Sequence, residues 1–315
     1  MARTRTGFAL AGLSAVTFGS SGPFAAALIR AGWTPSGAVT VRIGLAAVIL
    51  TPFALRQLRG RWSMIHRSLR SVLAFGVAAV AIPQLCYFNA VERVPVAVAL
   101  LLEYSGTVLV VGWMWARHGH RPGRLTAGGA AAALIGLVLV LNLTGVSGLD
   151  PVGVAWGLGA AVGLAAYFVL SSATADPLPP LVMAWAGLVA GAAGLSLLGA
   201  ARAIAVRTSS ADVELAGQRL SWVVPVIGLS LVAAVIAYVS GIAATRLLGA
   251  RLASFVGLTE VLAAVAFAWV LLAQVPTGVQ FAGGALVLAG VALVRAGEWR
   301  TAPQPGELAG QPAGP

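Results

Sequence analysis

Long apolar runs separated by short polar gaps follow one another along the whole chain. Each run holds about 20 residues, the length that an α-helix needs to cross a hydrocarbon core of about 30 Å. Helices are expected because unpaired backbone groups are costly in lipid, and the runs lack the alternation of barrel strands. The pattern predicts an all-α polytopic membrane protein with ten transmembrane helices, at 7–29, 37–58, 71–91, 95–115, 124–143, 151–172, 179–200, 221–243, 250–272 and 277–295.

Composition argues against a soluble domain and a nucleic-acid partner. Of the 315 residues 59% are hydrophobic and 9% are charged, whereas a soluble domain has about a quarter charged residues. The net charge of +11 comes from arginines, most of them in short gaps, so membrane topology explains it and the lipid bilayer is the expected partner. The single cysteine, Cys86, excludes an intrachain disulfide and a cysteine-rich metal site. We expect no metal and no cofactor.

The distribution of arginines also predicts orientation. The run 7–29 is longer than a signal-peptide core, so it is taken as the first membrane helix. Arginines are concentrated in the gaps that lie on the side of the N-terminus, and the gap around Asp176 is the exception. The bias predicts a multi-pass protein of the cytoplasmic membrane with both termini in the cytoplasm.

An internal repeat emerges when residues 90–140 are laid on residues 244–294, an offset of 244 − 90 = 154. It pairs Trp115 with Trp269, Pro122 with Pro276, Gly129 with Gly283 and Gly136 with Gly290. The repeat predicts halves at 1–148 and 149–300, followed by a disordered cytoplasmic tail at 301–315. Five helices in each half make the repeat inverted, an arrangement typical of secondary transporters with a substrate site between the halves.

Short motifs in helices two, three, four and nine carry a family resemblance. They are Arg42; Gln84, Tyr87 and Ala90; Leu100 to Tyr104; and Leu258-Thr259-Glu260. The chain resembles the EamA-type ten-helix branch of the drug/metabolite transporter superfamily, and helix four is most similar to threonine/homoserine exporter-like members. It departs from the family pattern at Val261, where a proline is common. The resemblance implies a central cavity walled by helices one, three, four, six, eight and nine, and transport of amino acids, metabolites or drugs, often outward.

Glu103 and Glu260 are the acids placed well inside predicted spans. A carboxylate at membrane depth is costly, so it normally faces a cavity or a partner. We expect Glu103 to bind a substrate amine or a coupling proton, and Glu260 to be a second polar contact or a gate. The alternative for both is a structural hydrogen bond to a neighbouring helix.

Other polar and aromatic residues are candidates for the same site. Gln84, Tyr87 and Asn89 lie at the end of helix three, where they could bind a ligand, anchor at the interface or cap the helix. Arg42 lies six residues into helix two and either snorkels to the interface or pairs with an acid or a substrate carboxylate. The aromatic candidates for lining the cavity, or for packing and interfacial anchoring, are Tyr104, Trp113, Trp115, Tyr167, Tyr238 and Trp269.

These features together favour a secondary transporter over an enzyme. The expected function is export of an amino-acid-like or amine-bearing metabolite by alternating access, with proton coupling as one option. The sequence Gly19-Ser20-Ser21-Gly22 fits a nucleophile-like pattern, but the histidines lie in polar gaps, away from a membrane-embedded serine. The alternative functions are a channel, an importer and a non-transporting scaffold, and the sequence does not exclude them. Small-residue pairs such as Gly153/Gly157 indicate close helix packing within the chain, or a homodimer. The segment 201–220 is expected to be a solvated loop.

Overall fold

The computed structural model describes residues 2–94, 96–119, 123–141, 149–172, 178–272 and 275–301, and this part of the chain is mostly helical. Over these residues nine helices are long and apolar enough to cross a membrane, and Arg124–Val140 is a shorter apolar helix. The ten-helix, all-α prediction is confirmed. The predicted disordered tail at 301–315 falls, except for its first residue, outside the described residues.

Over the described residues the fold consists of ten long helices, a short helix and one hairpin. Their bounds are Ala2–Gly19 and Ser21–Arg30 (helix 1), Pro35–Gln57 (helix 2), Leu69–Ala74, Phe75–Ala81 and Ile82–Arg93 (helix 3), Val96–Tyr104 and Gly106–His118 (helix 4), Arg124–Leu141 (helix 5), Pro151–Ser171 (helix 6), Pro180–Ala200 (helix 7), Val223–Ile227, Gly228–Ile236 and Ala237–Leu248 (helix 8), Ala250–Gly257 and Thr259–Leu272 (helix 9) and Gly278–Thr301 (helix 10). A short helix, Ser63–Arg67, precedes helix 3, and the hairpin strands are β1 (Val213–Leu215) and β2 (Gln218–Leu220).

Local sequence sets several helix ends. Helix 2 starts with Pro35, and the Thr34 hydroxyl accepts the backbone N–H of Gly37. Helix 6 starts in the same way: the Asp150 carboxylate accepts the N–H of Val152, which lowers the pKa of that carboxyl below its usual value. Helix 8 runs to Leu248, five residues beyond the predicted end, and stops at Gly249 with φ of 80°. The sequence pattern missed this extension because Arg246 in its last turn resembles a loop residue.

The interruptions inside the helices follow the internal repeat. The central π-helical segments, Phe75–Ala81 of helix 3 and Gly228–Ile236 of helix 8, overlap when shifted by the same offset, since 75 + 154 = 229. Helices 3, 4 and 5 begin at 69, 96 and 124, and helices 8, 9 and 10 begin 154 residues later, at 223, 250 and 278. The repeat seen in the sequence is therefore a repeat of helix shape.

Helices 5 and 10 are equivalent in the two halves and pack against each other closely. A Cβ atom on Gly129 would lie 2.7 Å from the carbonyl oxygen of Gly290, and one on Gly136 would lie 2.7 Å from that of Gly283. Residue numbers rise along one helix as they fall along the other, so the two helices are antiparallel, as an inverted repeat requires. The four glycines that revealed the repeat are the places where the two backbones touch, each meeting the repeat counterpart of the other glycine in its helix.

The remaining small-residue pairs also pack inside the chain. Gly157 lies against Leu102, Gly163 against Pro83 and Gly187 against Phe75. These contacts bring helices 6 and 7 close to helices 3 and 4, which is the packing role that the spacing indicates.

The segment between helices 7 and 8 is exposed over most of its length, as expected of a solvated loop, but it also contains a hairpin that the sequence pattern did not predict. Strands β1 and β2 form an antiparallel hairpin, and both Val213 and Leu215 are buried. Its two turn residues, Ala216 and Gly217, have φ of 52° and 71°, as tight two-residue hairpin turns require. The alternation in Val213-Glu214-Leu215 was the available signal, but three residues are too few to stand out in so apolar a chain.

Candidate functional site

A central cavity of about 570 Å³ lies between the two halves. Its walls come from helices 1, 3, 4, 6, 8 and 9, the six helices implied by the resemblance, together with Val140 of helix 5 and Gln280 of helix 10. The volume is in the range of sites for small molecules. The cavity reaches the protein surface at Arg30, which is exposed.

The opposite end of the cavity is closed by apolar side chains. Ala11 of helix 1 and Ala244 of helix 8 line the cavity and also pack with Val256 of helix 9. Phe8 and Leu248 extend this cluster. The cavity is therefore accessible from one end and closed at the end nearer the N-terminus of helix 1.

Glu103 and Glu260 both face the cavity from equivalent helices. Each lies next to the interruption of its helix, Glu103 two residues before Ser105 and Glu260 two residues after Leu258. Each is half-buried. The Tyr104 hydroxyl donates a hydrogen bond to the Glu260 carboxylate. Within the described ranges no hydrogen bond reaches the Glu103 carboxylate, so this group is free to take a ligand or a proton from the cavity.

Arg42 lies behind the cavity wall rather than at the membrane interface. Its side chain is 1% exposed, so it does not snorkel, and within the described residues no carboxylate forms an ion pair with it. Its Nη1 donates to Ser21 Oγ at 2.9 Å and to Gln84 Oε1 at 2.5 Å, and its Nη2 donates to the carbonyl of Ala233. The sequence could not show this because the three acceptors belong to helices 1, 3 and 8.

Arg42 nevertheless acts electrostatically on the cavity. Its charge is near enough to interact with both Glu103 and Glu260. Ser21 and Gln84, which it holds, both line the cavity. Its acceptor Ala233 lies in the π-helical segment of helix 8, where backbone hydrogen bonding is irregular. The guanidinium thus connects helices 1, 2, 3 and 8 just behind the two carboxylates.

Aromatic rings form much of the remaining wall. Those lining the cavity are Phe18, Tyr87, Tyr104, Tyr167, Phe168 and Tyr238. Phe18 and Tyr238 meet edge to face with centroids 5.1 Å apart, and Tyr167 and Tyr238 do so at 5.8 Å. These contacts fix ring orientation, because edge-to-face pairs are the favoured arrangement.

The structure brings together most of the predicted site residues. Seven of them line the cavity: Gln84, Tyr87, Glu103, Tyr104, Tyr167, Tyr238 and Glu260. Asn89 lies elsewhere, and its amide donates to the carbonyl of Leu85 in its own helix. Trp115 is 51% exposed on the outer surface, and its repeat partner Trp269 is 47% exposed, so both belong at the membrane surface rather than in the cavity.

Several residues that line the cavity were not predicted from the sequence. Ser14 and Phe18 share a face of helix 1, and Gly241 and Thr245 share a face of helix 8. Gly241 is needed there, because a Cβ atom would overlap the Tyr167 hydroxyl. Small and weakly polar residues at a spacing of four were the only signal, and that spacing is common in membrane helices. Ser20 and Ser21 have packing partners: Ser20 donates to the Thr17 carbonyl and Ser21 accepts from Arg42.

Comparisons with known proteins agree with this architecture. A solved crystal structure of a protein matches with a TM-score of 0.70 and 19% identity, covering 96% of this chain and 98% of that one, which shows the fold. An uncharacterized inner membrane transporter, YicL, of Salmonella typhimurium is 27% identical over 173 residues, which are 53% of this chain and 57% of that protein. The chain thus matches less than two thirds of the length of this relative.

The family comparison covers both halves. The model of the EamA-like transporter family matches residues 5–142 and 151–296, one match for each five-helix repeat. Together with the inverted helices and the central cavity, these two matches place the chain in that family. The protein is a multi-pass membrane protein that belongs to the EamA-like transporter family.

Proposed function

We propose that the protein is a secondary transporter that exports an amino-acid-like or amine-bearing metabolite across the cytoplasmic membrane. The observation that carries this proposal is the meeting of Glu103 and Glu260, from equivalent helices of the two inverted halves, in one central cavity. Carboxylates at membrane depth are expensive and mark substrate or proton paths. An amine is the ligand that complements them.

Alternating access is the proposed mode of transport. The cavity is closed at one end by the cluster of Ala11, Ala244 and Val256 and reaches the surface at Arg30. In an inverted repeat the two halves can exchange conformations, which would close the open end and open the closed end. The apolar cluster, made of helices 1, 8 and 9, is the barrier that would have to separate.

A proton is the proposed counter-ion. Glu103 has no hydrogen-bond donor among the described residues, whereas Glu260 has Tyr104. Glu103 can therefore take either a proton or an ammonium group, and occupation by one excludes the other. Exchange of a proton for the substrate at this carboxylate would drive export with an inward proton gradient.

The test compares extracellular metabolites of cells that produce the native chain, Glu103→Gln, Glu92→Gln or an empty vector, at matched amounts in the membrane. Glu92 is the control because it is an exposed acid at the end of helix 3, outside the cavity. We expect one class of amine to accumulate outside with the native chain and with Glu92→Gln, and to fall by about tenfold or more with Glu103→Gln, since a hydrogen-bonded charge is lost.

The other outcomes separate the competing functions. Native and empty-vector profiles that coincide would refute export, and saturable uptake would then identify an importer. Flux that rises without saturation would identify a channel. A scaffold would show no flux in either direction. If Glu103→Gln exports as well as the native chain, Glu103 is not the binding group.

A further inference from the structure

The charges around the cavity select among the amine-bearing substrates. We infer that the site takes a monovalent organic ammonium ion that carries no carboxylate, with an aromatic or other flat apolar body. This inference rests on the proposed transport function and narrows it, because an amino acid and the corresponding simple amine differ by one carboxylate that the cavity must accommodate.

The first step is the balance of charge. Glu103 and Glu260 face the cavity, and Arg42 is the buried cation that interacts with both. When the proton has left Glu103 and both carboxylates are ionised, the group carries one uncompensated negative charge. A monovalent cation neutralises it, a zwitterion leaves it in place, and an anion adds a second negative charge. Because isolated charges are costly at membrane depth, the first case is favoured.

The second step is that the described residues around the two glutamates offer no basic side chain to bind a substrate carboxylate. Arg42 donates hydrogen bonds to Ser21, Gln84 and the Ala233 carbonyl, and its Nε has no partner within the described part of the chain but is buried. The side chain is 1% exposed and is not among the residues that line the cavity. Among the described residues that line the cavity, the remaining basic side chain is Arg30. Its Nε donates to the carbonyl of Ala26.

Arg30 lies further along the cavity than the two glutamates. Gly19 packs against the backbone of Glu260, and Ala26 is seven residues further along helix 1. Seven residues correspond to roughly 10 Å along a helix axis. The ammonium and carboxylate of an α-amino acid are attached to the same carbon. An amino acid whose ammonium lies at the glutamates therefore keeps its carboxylate beside those glutamates, with the Arg30 guanidinium as a more distant partner.

The third step is the chemistry of the walls. Phe18, Tyr167 and Tyr238 form a connected edge-to-face group beside the glutamates, and Phe168 packs on Tyr167. Ring faces attract organic cations and pack on flat apolar groups. A carboxylate receives no such attraction from them. The rings and the net negative charge thus favour the same ligand.

The experiment uses three probes that share one phenylalkyl body and differ in charge: phenethylamine, phenylalanine and 3-phenylpropionate. Binding to the purified full chain in lipid nanodiscs is measured by titration calorimetry at neutral pH. We expect phenethylamine to bind at least about tenfold more tightly than phenylalanine, and phenylpropionate not to bind, since one charged contact accounts for a factor of this size. Glu103→Gln should weaken phenethylamine by a similar factor, and Glu92→Gln should leave it unchanged.

Equal or tighter binding of phenylalanine would overturn the inference, because it would require a carboxylate partner that the cavity walls do not provide beside the two glutamates. Absence of binding by all three probes would overturn it as well. Binding and transport are separate readouts: export of a zwitterion by cells would refute the cation selectivity while the transporter proposal stands. Binding of phenethylamine without any flux would refute transport and leave the site intact.

Discussion

At the scale of single residues, the buried polar groups differ in how far the sequence could interpret them. Glu103 and Glu260 were predicted as site residues because an acid inside an apolar run is costly wherever the helix packs. The partners of Arg42 come from positions 21 to 191 residues away, so they depend on the tertiary fold. The sequence identified which residues are unusual, and the structure decided what they touch.

Arg42 gives the prediction at this scale. Arg42→Met leaves Gln84, Ser21 and the Ala233 carbonyl without their donor, and we expect the free energy of unfolding to fall by about 1–3 kcal/mol. Arg42→Lys should recover only part of the loss, since one ammonium cannot replace two separate guanidinium nitrogens. Thermal unfolding of the purified protein measures both. Arg59→Met is the control at an exposed arginine, and equal stability of Arg42→Met and Arg59→Met would refute the bridging role.

At the scale of helices and strands, contacts between equivalent elements organise the molecule. Helices 5 and 10 meet at paired glycines, and helices 4 and 9 place their glutamates in one cavity. The hairpin is an addition to the second half. The segment leading into it is held by Trp33 Nε1, which donates to the Ser209 carbonyl at 2.7 Å. The turn is held by the Ala216 N–H, which donates to the Leu271 carbonyl at 2.7 Å. The hairpin and this segment therefore link the end of helix 1 to the end of helix 9.

The interface of helices 5 and 10 can be tested with neighbouring glycines. A Cβ atom on Gly129 would lie 2.7 Å from a backbone oxygen of helix 10, whereas one on Gly128 meets no atom within 4 Å. Gly129→Ala should lower the free energy of unfolding by about 1–3 kcal/mol, because the two backbones must separate. Gly128→Ala should be neutral or slightly stabilising. Denaturant titration in detergent checks the pair, and indistinguishable variants would contradict the close contact.

The hairpin attachment provides a second test at this scale. The Thr34 hydroxyl donates to the Ala205 carbonyl at 2.6 Å and accepts the N–H groups of Gly37 and Arg207. Thr34→Ala should cost about 1–2 kcal/mol, since it removes a helix cap along with the loop contacts, and should speed hydrogen exchange in residues 201–222. The matched control is Thr208→Ala, an exposed threonine in the same segment. Unchanged exchange in Thr34→Ala would show that other contacts hold the hairpin.

At the scale of the whole molecule, orientation in the membrane follows from charge. Arg59, Arg61 and Arg67 lie between helices 2 and 3, on the side that we expect to face the cytoplasm, and the hairpin lies on the other side. The cavity reaches the surface at Arg30, next to the hairpin. The state described here is therefore expected to be open to the outside.

Cysteine labelling tests this orientation. Cys86 is buried against Gly159, so Cys86→Ala provides a background for single cysteines. In intact cells a membrane-impermeant maleimide should label Ser210→Cys directly, and should label Arg59→Cys only after the membrane is permeabilised. The reverse pattern would place the termini and the arginine-rich loop outside, and the state described here would then be open to the cytoplasm.

The sequence by itself determined the class of the fold, the number of helices, the inverted repeat and the two glutamates. These features follow from local energetic costs. Each apolar run must form a helix in lipid, and a carboxylate within such a helix is costly unless it faces a cavity or a partner. Only the tertiary structure decided that Arg42 bridges helices 1, 3 and 8, and that Trp115 faces outward while Asn89 bonds within its own helix. It also decided that β1 and β2 form a hairpin in which Val213 and Leu215 are buried. In a chain that is 59% hydrophobic, apolar patterning alone does not distinguish the faces of a helix. Contacts between distant segments make that distinction, because they decide which face meets lipid, which meets protein and which meets the cavity.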